Sequence, residues 1–318
     1  MMYSALIKAK ARAVLSKHWQ TALLIALIVN LPSLLVQGIA SFTNSDLLVK
    51  MEKLMLNAME STAAMNALTE NMLAVLSDTK VLAVTGLGVL AWMITPVLSL
   101  GMNHWTLDRI RGAEEPVTVV FSRLGIFFKS IGLRLLIALK VFLWMLPGIA
   151  VVLLAMLPVH LADQTSADSL YSALRISIMI MYAGLGVMLV LAVRAYLLYA
   201  MADFILADEP GERVVTCVRR SREMMNGRRG MLFALVLGIY LWNLVISLVS
   251  TFVADVAGNI AALMLQMFGG LVVSVYLVTS EGVFYDALRA AIGQMPLQVP
   301  AEPQDRKDPG SPEGPDLD

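Results

Sequence analysis

The stretch that decides the fold is RRGMLFALVLGIYLWNLVISLVSTFVAD, residues 228–255. Two arginines open it, and no further charged residue follows until Asp255. An apolar run of this length covers the hydrocarbon core of a bilayer, which needs about 20 residues of α-helix. In lipid every backbone N–H and C=O must be paired inside the segment, so the conformation must be helical. The stretch therefore predicts a membrane span with a basic flank on one side.

Five further stretches share this apolar character. The six predicted spans cover approximately residues 20–40, 81–102, 138–159, 176–198, 231–253 and 260–281. The composition agrees, because 58% of the 318 residues are hydrophobic and 15% are charged, against about a quarter in soluble domains. We predict an all-α, polytopic membrane helix bundle of about six transmembrane helices plus amphipathic interfacial helices. The fourth stretch, about 173–206, would be roughly 50 Å long as one helix, so we expect it to protrude or break.

Basic residues concentrate in alternate connections between the spans. They precede the first span, lie between the second and third and between the fourth and fifth, and follow the sixth. The three groups that flank or join spans in the first 230 residues are Lys8, Lys10, Arg12 and Lys17, then Arg109, Arg111, Arg123 and Lys129, then Arg213, Arg219, Arg220, Arg222, Arg228 and Arg229. This alternation obeys the positive-inside rule. It predicts a multi-pass membrane protein with both termini in the cytoplasm.

The chain divides into three regions by composition. Residues 1–19 form a basic amphipathic segment, 20–293 the six-span domain, and 294–318 a Pro-rich acidic tail that we expect to be disordered. Within the six-span domain, 41–80 is predicted as an extracytoplasmic amphipathic helix and 207–230 as a loop with a basic cytoplasmic helix. An apolar stripe from Leu47 to Val75 either packs across the bundle or binds a membrane-protein partner.

Two groups of residues are candidates for binding. The first is an arginine cluster that could hold anionic lipid headgroups or serve topology alone; it consists of Arg219, Arg220, Arg222, Arg228 and Arg229. The second is a possible intramembrane polar site, since charges in spans are costly; it consists of Arg194, Asp203, Tyr199 and Lys140. Snorkelling of Arg194 and Lys140 to the headgroups is the competing interpretation.

Two local patterns refine these candidates. Tyr196, Tyr199 and Asp203 are spaced three and four residues apart, which predicts one shared helix face. Cys217 lies among arginines, which would lower its pKa.

No nucleophile–base set, phosphate loop or metal-ligand pattern is present, so the sequence predicts neither catalysis nor a cofactor. The formal net charge is zero, which gives no reason to expect nucleic acid. The expected partners are the lipid bilayer, including anionic lipids, and a membrane protein bound through residues 47–75.

Several phrases of the sequence resemble one family. They include ALIKAKAR at 5–12, PVLSLG at 96–101, AMADFILADEP at 200–210, SREMMNG at 221–227 and FYDAL at 284–288. The chain resembles the bacterial integral membrane family known as domain of unknown function 975, over most of residues 1–290. That resemblance implies a membrane protein and no established activity. We expect a non-enzymatic scaffold, assembly or accessory component; the alternative is a small-solute transporter or export helper.

Overall fold

The computed structural model describes residues 2–58, 79–161 and 167–293. Throughout these ranges the regular secondary structure is helical. Six helical segments are long and apolar enough to cross a membrane: Ala5–Ala40, Thr79–Arg111, Val117–Leu154, Tyr171–Asp208, Arg229–Ala257 and Asn259–Ala291. The predicted all-α bundle with six spans is confirmed. Most of the 47–75 stripe and the 294–318 tail lie outside the described residues.

The helices follow one another in the order of the predicted spans. Two 3₁₀ turns, Val117–Phe121 and Leu124–Ile126, precede the third span. The α-helices are α1 Met2–Ala58, α2 Thr79–Arg111, α3 Phe127–Leu154, α4 Leu157–Leu161, α5 Ala167–Tyr199, α6 Ala202–Asp208, α7 Val214–Met224, α8 Arg229–Ala257 and α9 Asn259–Gly293.

Helix α1 begins with the basic amphipathic segment. Ile7, Ala11 and Leu15 recur at steps of four residues and are buried, so this face packs against the bundle. His18 has non-helical angles (φ −130°, ψ 23°) and kinks the helix. The apolar span follows the kink, and the helical backbone then continues without interruption to Ala58.

The bundle contains two packing groups. Helices α1, α2, α8 and α9 contact one another, and α3 pairs with α5. The α3–α5 pair approaches closely at glycines: a Cβ added to Gly148 would lie 2.8 Å from Met188 Cα, and one added to Gly184 would lie 2.9 Å from the Val152 nitrogen. Small residues of this kind let two membrane helices touch along their backbones.

The fourth stretch breaks, as its length predicts. Helix α5 ends at Tyr199 and α6 begins at Ala202. The Ser221 hydroxyl donates a hydrogen bond to the carbonyl of Leu198 (3.0 Å), which would otherwise lack a partner at the helix end. Helix α6 is buried almost throughout, and it packs on α2, α3 and α7. Its position fixes the acidic residues that follow it.

The basic loop forms the helix that the sequence predicts, and α7 spans Val214–Met224. Gly227, with φ +73°, lies just beyond its end. A left-handed backbone at this point favours glycine and stops the helix before α8 begins.

Candidate functional site

Charged side chains from six helices, α1, α2, α3, α6, α7 and α9, meet at one end of the bundle, around the turn that joins α6 to α7. We call this region the charged end. It is built from Lys10, Arg111, Lys129, Asp208, Glu209, Glu212, Arg220, Tyr285, Asp286 and Arg289.

Asp208 is the hub of the charged end, and its side chain is only 9% exposed. It accepts two hydrogen bonds from Arg111, at 2.8 and 3.1 Å, and one from the Tyr285 hydroxyl at 3.1 Å. Arg289 also donates to this carboxylate. Paired guanidinium contacts of this kind are strong and directional. One carboxylate therefore ties α6 to α2 and α9.

Glu209 extends the network to α7. Its carboxylate accepts hydrogen bonds from Arg220 at 2.5 Å and from Arg289 at 3.2 Å. Arg220 also lies 3.6 Å from Glu212. The hydrogen bond to Glu209 raises the pKa of Arg220 above its ordinary value, so this guanidinium stays charged.

The turn is anchored from two further helices. The Lys129 ammonium of α3 donates to the carbonyls of Pro210 (2.9 Å) and Gly211 (3.3 Å). Asp286 accepts from Arg111 at 3.2 Å and lies 3.9 Å from Lys10 of α1. The basic side chains of the charged end thus pair with carboxylates and carbonyls of the same region.

A second polar group lies deeper in the bundle. Arg134 of α3 pairs with Asp203 of α6 at 3.1 Å. The Tyr196 hydroxyl of α5 donates to the Glu281 carboxylate of α9 at 3.2 Å, and Glu281 is 8% exposed. These pairs join α3 to α6 and α5 to α9 within segments that qualify as spans.

The predicted intramembrane set of Arg194, Asp203, Tyr199 and Lys140 is divided between two places. The Arg194 guanidinium stacks over the Trp144 ring at 5.3 Å, and Lys140 and Tyr199 line a cleft of ≈ 300 Å³ beside the same ring. Asp203 instead pairs with Arg134. The predicted single helix face of Tyr196, Tyr199 and Asp203 spans a break, because α5 ends at Tyr199 and Asp203 lies on α6.

The predicted arginine cluster is also divided. Arg220 is held by Glu209 and Glu212 in the charged end. Arg219, Arg222 and Arg229 line a separate cleft of ≈ 300 Å³ with Glu223 and Asn226, which we call the basic edge. Arg219 pairs with Glu223 at 3.9 Å, with both side chains mostly exposed. Arg228 is not among the residues that line this cleft.

The expectation that Cys217 has a lowered pKa is wrong. The side chain is buried on the inner face of α7, and burial raises the pKa of the thiol to about 11. Arg220 lowers the pKa of this thiol, but burial and the nearby Glu212 have larger, opposite effects. Cys217 is a core residue of the bundle.

Sequence reasoning did not single out Glu281, Arg111 or Arg289. An acid at the end of a predicted apolar span was a usable signal for Glu281, because such residues need a partner. Arg111 and Arg289 read as ordinary loop charges, since nothing local reveals that α2 and α9 both end beside Asp208.

Comparison with known proteins gives one match. Residues 1–292 match the sequence model of a family described as Protein of unknown function (DUF975). No curated protein and no solved structure matches the chain.

Proposed function

The chain belongs to the family described as Protein of unknown function (DUF975), and on that premise we propose that it is a non-enzymatic scaffold, assembly or accessory component of the bacterial cytoplasmic membrane. The observation that carries the proposal is the closure of the charged end around Asp208. Its charges neutralise one another and join six helices, which suits a rigid platform better than a binding chamber.

The proposal includes an orientation. The charged end and both chain termini face the cytoplasm, in accord with the positive-inside pattern of the loops. The basic edge then faces the anionic inner leaflet, where each Lys or Arg near the surface is worth about 1 kcal/mol of lipid attraction.

Cysteine labelling tests this orientation. Val215 is 68% exposed on α7, so Val215→Cys in a Cys217→Ser background places one accessible thiol at the charged end. A membrane-impermeant maleimide is expected to label inverted vesicles and spare intact cells. Labelling of intact cells would reverse the orientation.

The accessory role predicts a partner bound through the 47–75 stripe. Extraction in mild detergent followed by light scattering is expected to give a particle heavier than one 34.6 kDa chain with its detergent and lipid. Met51→Lys with Leu54→Lys, both on the predicted stripe, is expected to release the partner. Glu52→Lys, one position off the stripe, serves as the matched control. A solitary monomer unaffected by lipid would contradict the proposal.

A second candidate function rests on a different cavity. A cleft of ≈ 370 Å³ between α1 and α2 carries Ser33, Gln37 and Thr95, and Arg134 lies at its wall. Polar groups facing a cavity inside the spans are typical of solute pathways. As a small-solute transporter or export helper, the protein would use Arg134 to meet anionic solutes.

Proteoliposomes loaded with labelled phosphate, sulfate and amino acids test this alternative. Transport predicts protein-dependent release that Arg134→Gln abolishes and Lys140→Gln, outside this cleft, preserves. The accessory proposal predicts no release above that of protein-free vesicles.

A further inference from the structure

A wide groove lies between the amphipathic start of α1 and helices α8 and α9. Its volume is ≈ 730 Å³, within the range of roughly 300–1,000 Å³ that small-molecule sites occupy. Its walls are mainly apolar and aromatic. They are formed by Arg12, Leu15, Ser16, Trp19, Ile239, Trp242, Ile246, Val272, Val273 and Tyr276.

The groove opens toward the apolar surroundings of the bundle. Trp242 at its rim is 63% exposed, and Leu241 beside it is 53% exposed. Both belong to a helix that qualifies as a membrane span, so this surface faces lipid. An open apolar groove in such a surface is filled by acyl chains, because no other abundant molecule in a bilayer matches its chemistry.

Basic groups flank the same groove. Among the described residues, the Arg12 guanidinium makes no ion pair with a carboxylate, and its Nε donates to the Lys8 carbonyl at 3.4 Å. The Lys8 ammonium reaches α8, where it lies 2.8 Å from the position that a Cβ on Gly238 would take. The sequence carries no acid before Asp46, and in this segment it is Lys10, not Lys8 or Arg12, that pairs with Asp286 at 3.9 Å.

Polar and aromatic groups complete a lipid-like pattern. Ser16 is exposed and lines the groove one helical turn beyond Arg12. Trp19 and Tyr276 lie farther along the wall, and such amphipathic rings favour the boundary between headgroups and acyl chains. The groove therefore joins a positive, hydrogen-bonding rim to an apolar trough.

We propose that this groove is a binding site for one anionic diacyl phospholipid. Its phosphate contacts Arg12 and Lys8, its headgroup lies over Ser16, and one acyl chain lies between Trp19 and Trp242. The site is distinct from the basic edge on α7 and does not depend on the proposed accessory role.

Native mass spectrometry of the detergent-solubilised full chain tests the site. The probes are phosphatidylglycerol and phosphatidylethanolamine with identical acyl chains. We expect one phosphatidylglycerol molecule to bind per chain, about fivefold more tightly than phosphatidylethanolamine. A difference of this size in affinity corresponds to the attraction between one basic side chain and an anionic lipid. Arg12→Gln is expected to remove that preference. Lys17→Gln, on the same basic segment but outside the groove, is expected to preserve it.

A second variant separates the acyl chain from the charge. Val272 lines the trough and is half-buried, so Val272→Phe narrows the groove without altering its rim. We expect this variant to bind both lipids more weakly, while its thermal unfolding temperature stays close to that of the parent. Equal binding of the two lipids by the parent chain, or equal losses in Arg12→Gln and Lys17→Gln, would overturn the proposal. A doubled particle mass that Val272→Phe returns to a single chain would assign the groove to a second copy instead.

Discussion

The charged end and the α3–α5 pair are held together by different physics. At the charged end, six helices meet over a buried core that includes Ile205, Leu206 and Phe284, and ion pairs join them at its surface. In the third and fourth spans, 6% of the residues in the most apolar 18-residue stretch are buried inside the protein. The corresponding share is 22% in the first, second and fifth spans. The third and fourth spans meet through Gly148 and Gly184.

The difference follows from the solvent that surrounds each region. Where water reaches the chain, apolar burial drives packing and charged pairs select one arrangement. In lipid the surroundings are as apolar as leucine, so helix association depends on close fit and small residues. Charged side chains therefore determine the packing at the charged end, and the positions of glycines determine it in the α3–α5 pair.

The largest effect is expected at Asp208. Asp208→Asn removes the charge shared by Arg111 and Arg289, and it leaves these two guanidinium groups with only Asp286 and Glu209 respectively. We expect a loss of about 3 kcal/mol in the free energy of unfolding, at the lower end for broken buried pairs. Unfolding in mixed detergent micelles measures it.

Asp255→Asn is the control, because that side chain is exposed near the end of α8. Its expected effect is within about 0.5 kcal/mol. Equal losses in the two variants would remove the special role given to the charged end.

The next effect is expected in the α3–α5 pair. An alanine methyl at Gly148 would meet the Met188 backbone, so Gly148→Ala must push the helices apart. We expect a cost of about 2 kcal/mol, which is typical of overpacking.

Gly186→Ala is the matched control for Gly148→Ala. Gly186 lies on α5, and a Cβ added there meets nothing within 4 Å. The substitution is expected to be neutral or slightly stabilising, because alanine favours helix over glycine. A Gly148→Ala variant as stable as Gly186→Ala would mean that the pair is not held by close contact.

The smallest expected effect is on the chemical reactivity of the Cys217 thiol. Burial raises the thiol pKa to about 11, above the usual value of about 8.5. The neutral thiol is the favoured form in the folded state, so its contribution to stability is present below about pH 8.5 and is lost as the pH rises through 11. At pH 8 we expect maleimide to react far more slowly with Cys217 than with Val215→Cys in a Cys217→Ser background. Similar rates would contradict the buried placement.

Much of the fold was accessible from the sequence because membrane physics is local. A run such as 231–253 needs no partner to identify it as a span. The length of 173–206 alone predicts a helix that protrudes or breaks, and the break lies at residues 200–201. Gly227 likewise has the left-handed backbone (φ +73°) that glycine favours just beyond the end of a helix.

The contacts of the candidate site were less accessible because they depend on tertiary structure. Arg111 and Asp208 are 97 residues apart in the chain, and no local pattern pairs them. Asp203 likewise pairs with Arg134 of α3, a contact between separate helices that spacing along one stretch does not reveal. The predicted arginine cluster is divided because Arg220 pairs with Glu209.

A double-mutant cycle between Arg111 and Asp208 tests the account most directly. Unfolding is measured for the parent, Arg111→Gln, Asp208→Asn and the double variant, with Arg219 and Asp208 as a pair that makes no contact. We predict a coupling energy of about 1–2 kcal/mol for the first pair and additivity for the second. Additive losses for Arg111 and Asp208, within about 0.3 kcal/mol, would contradict the claim that an ion-paired hub holds the charged end together.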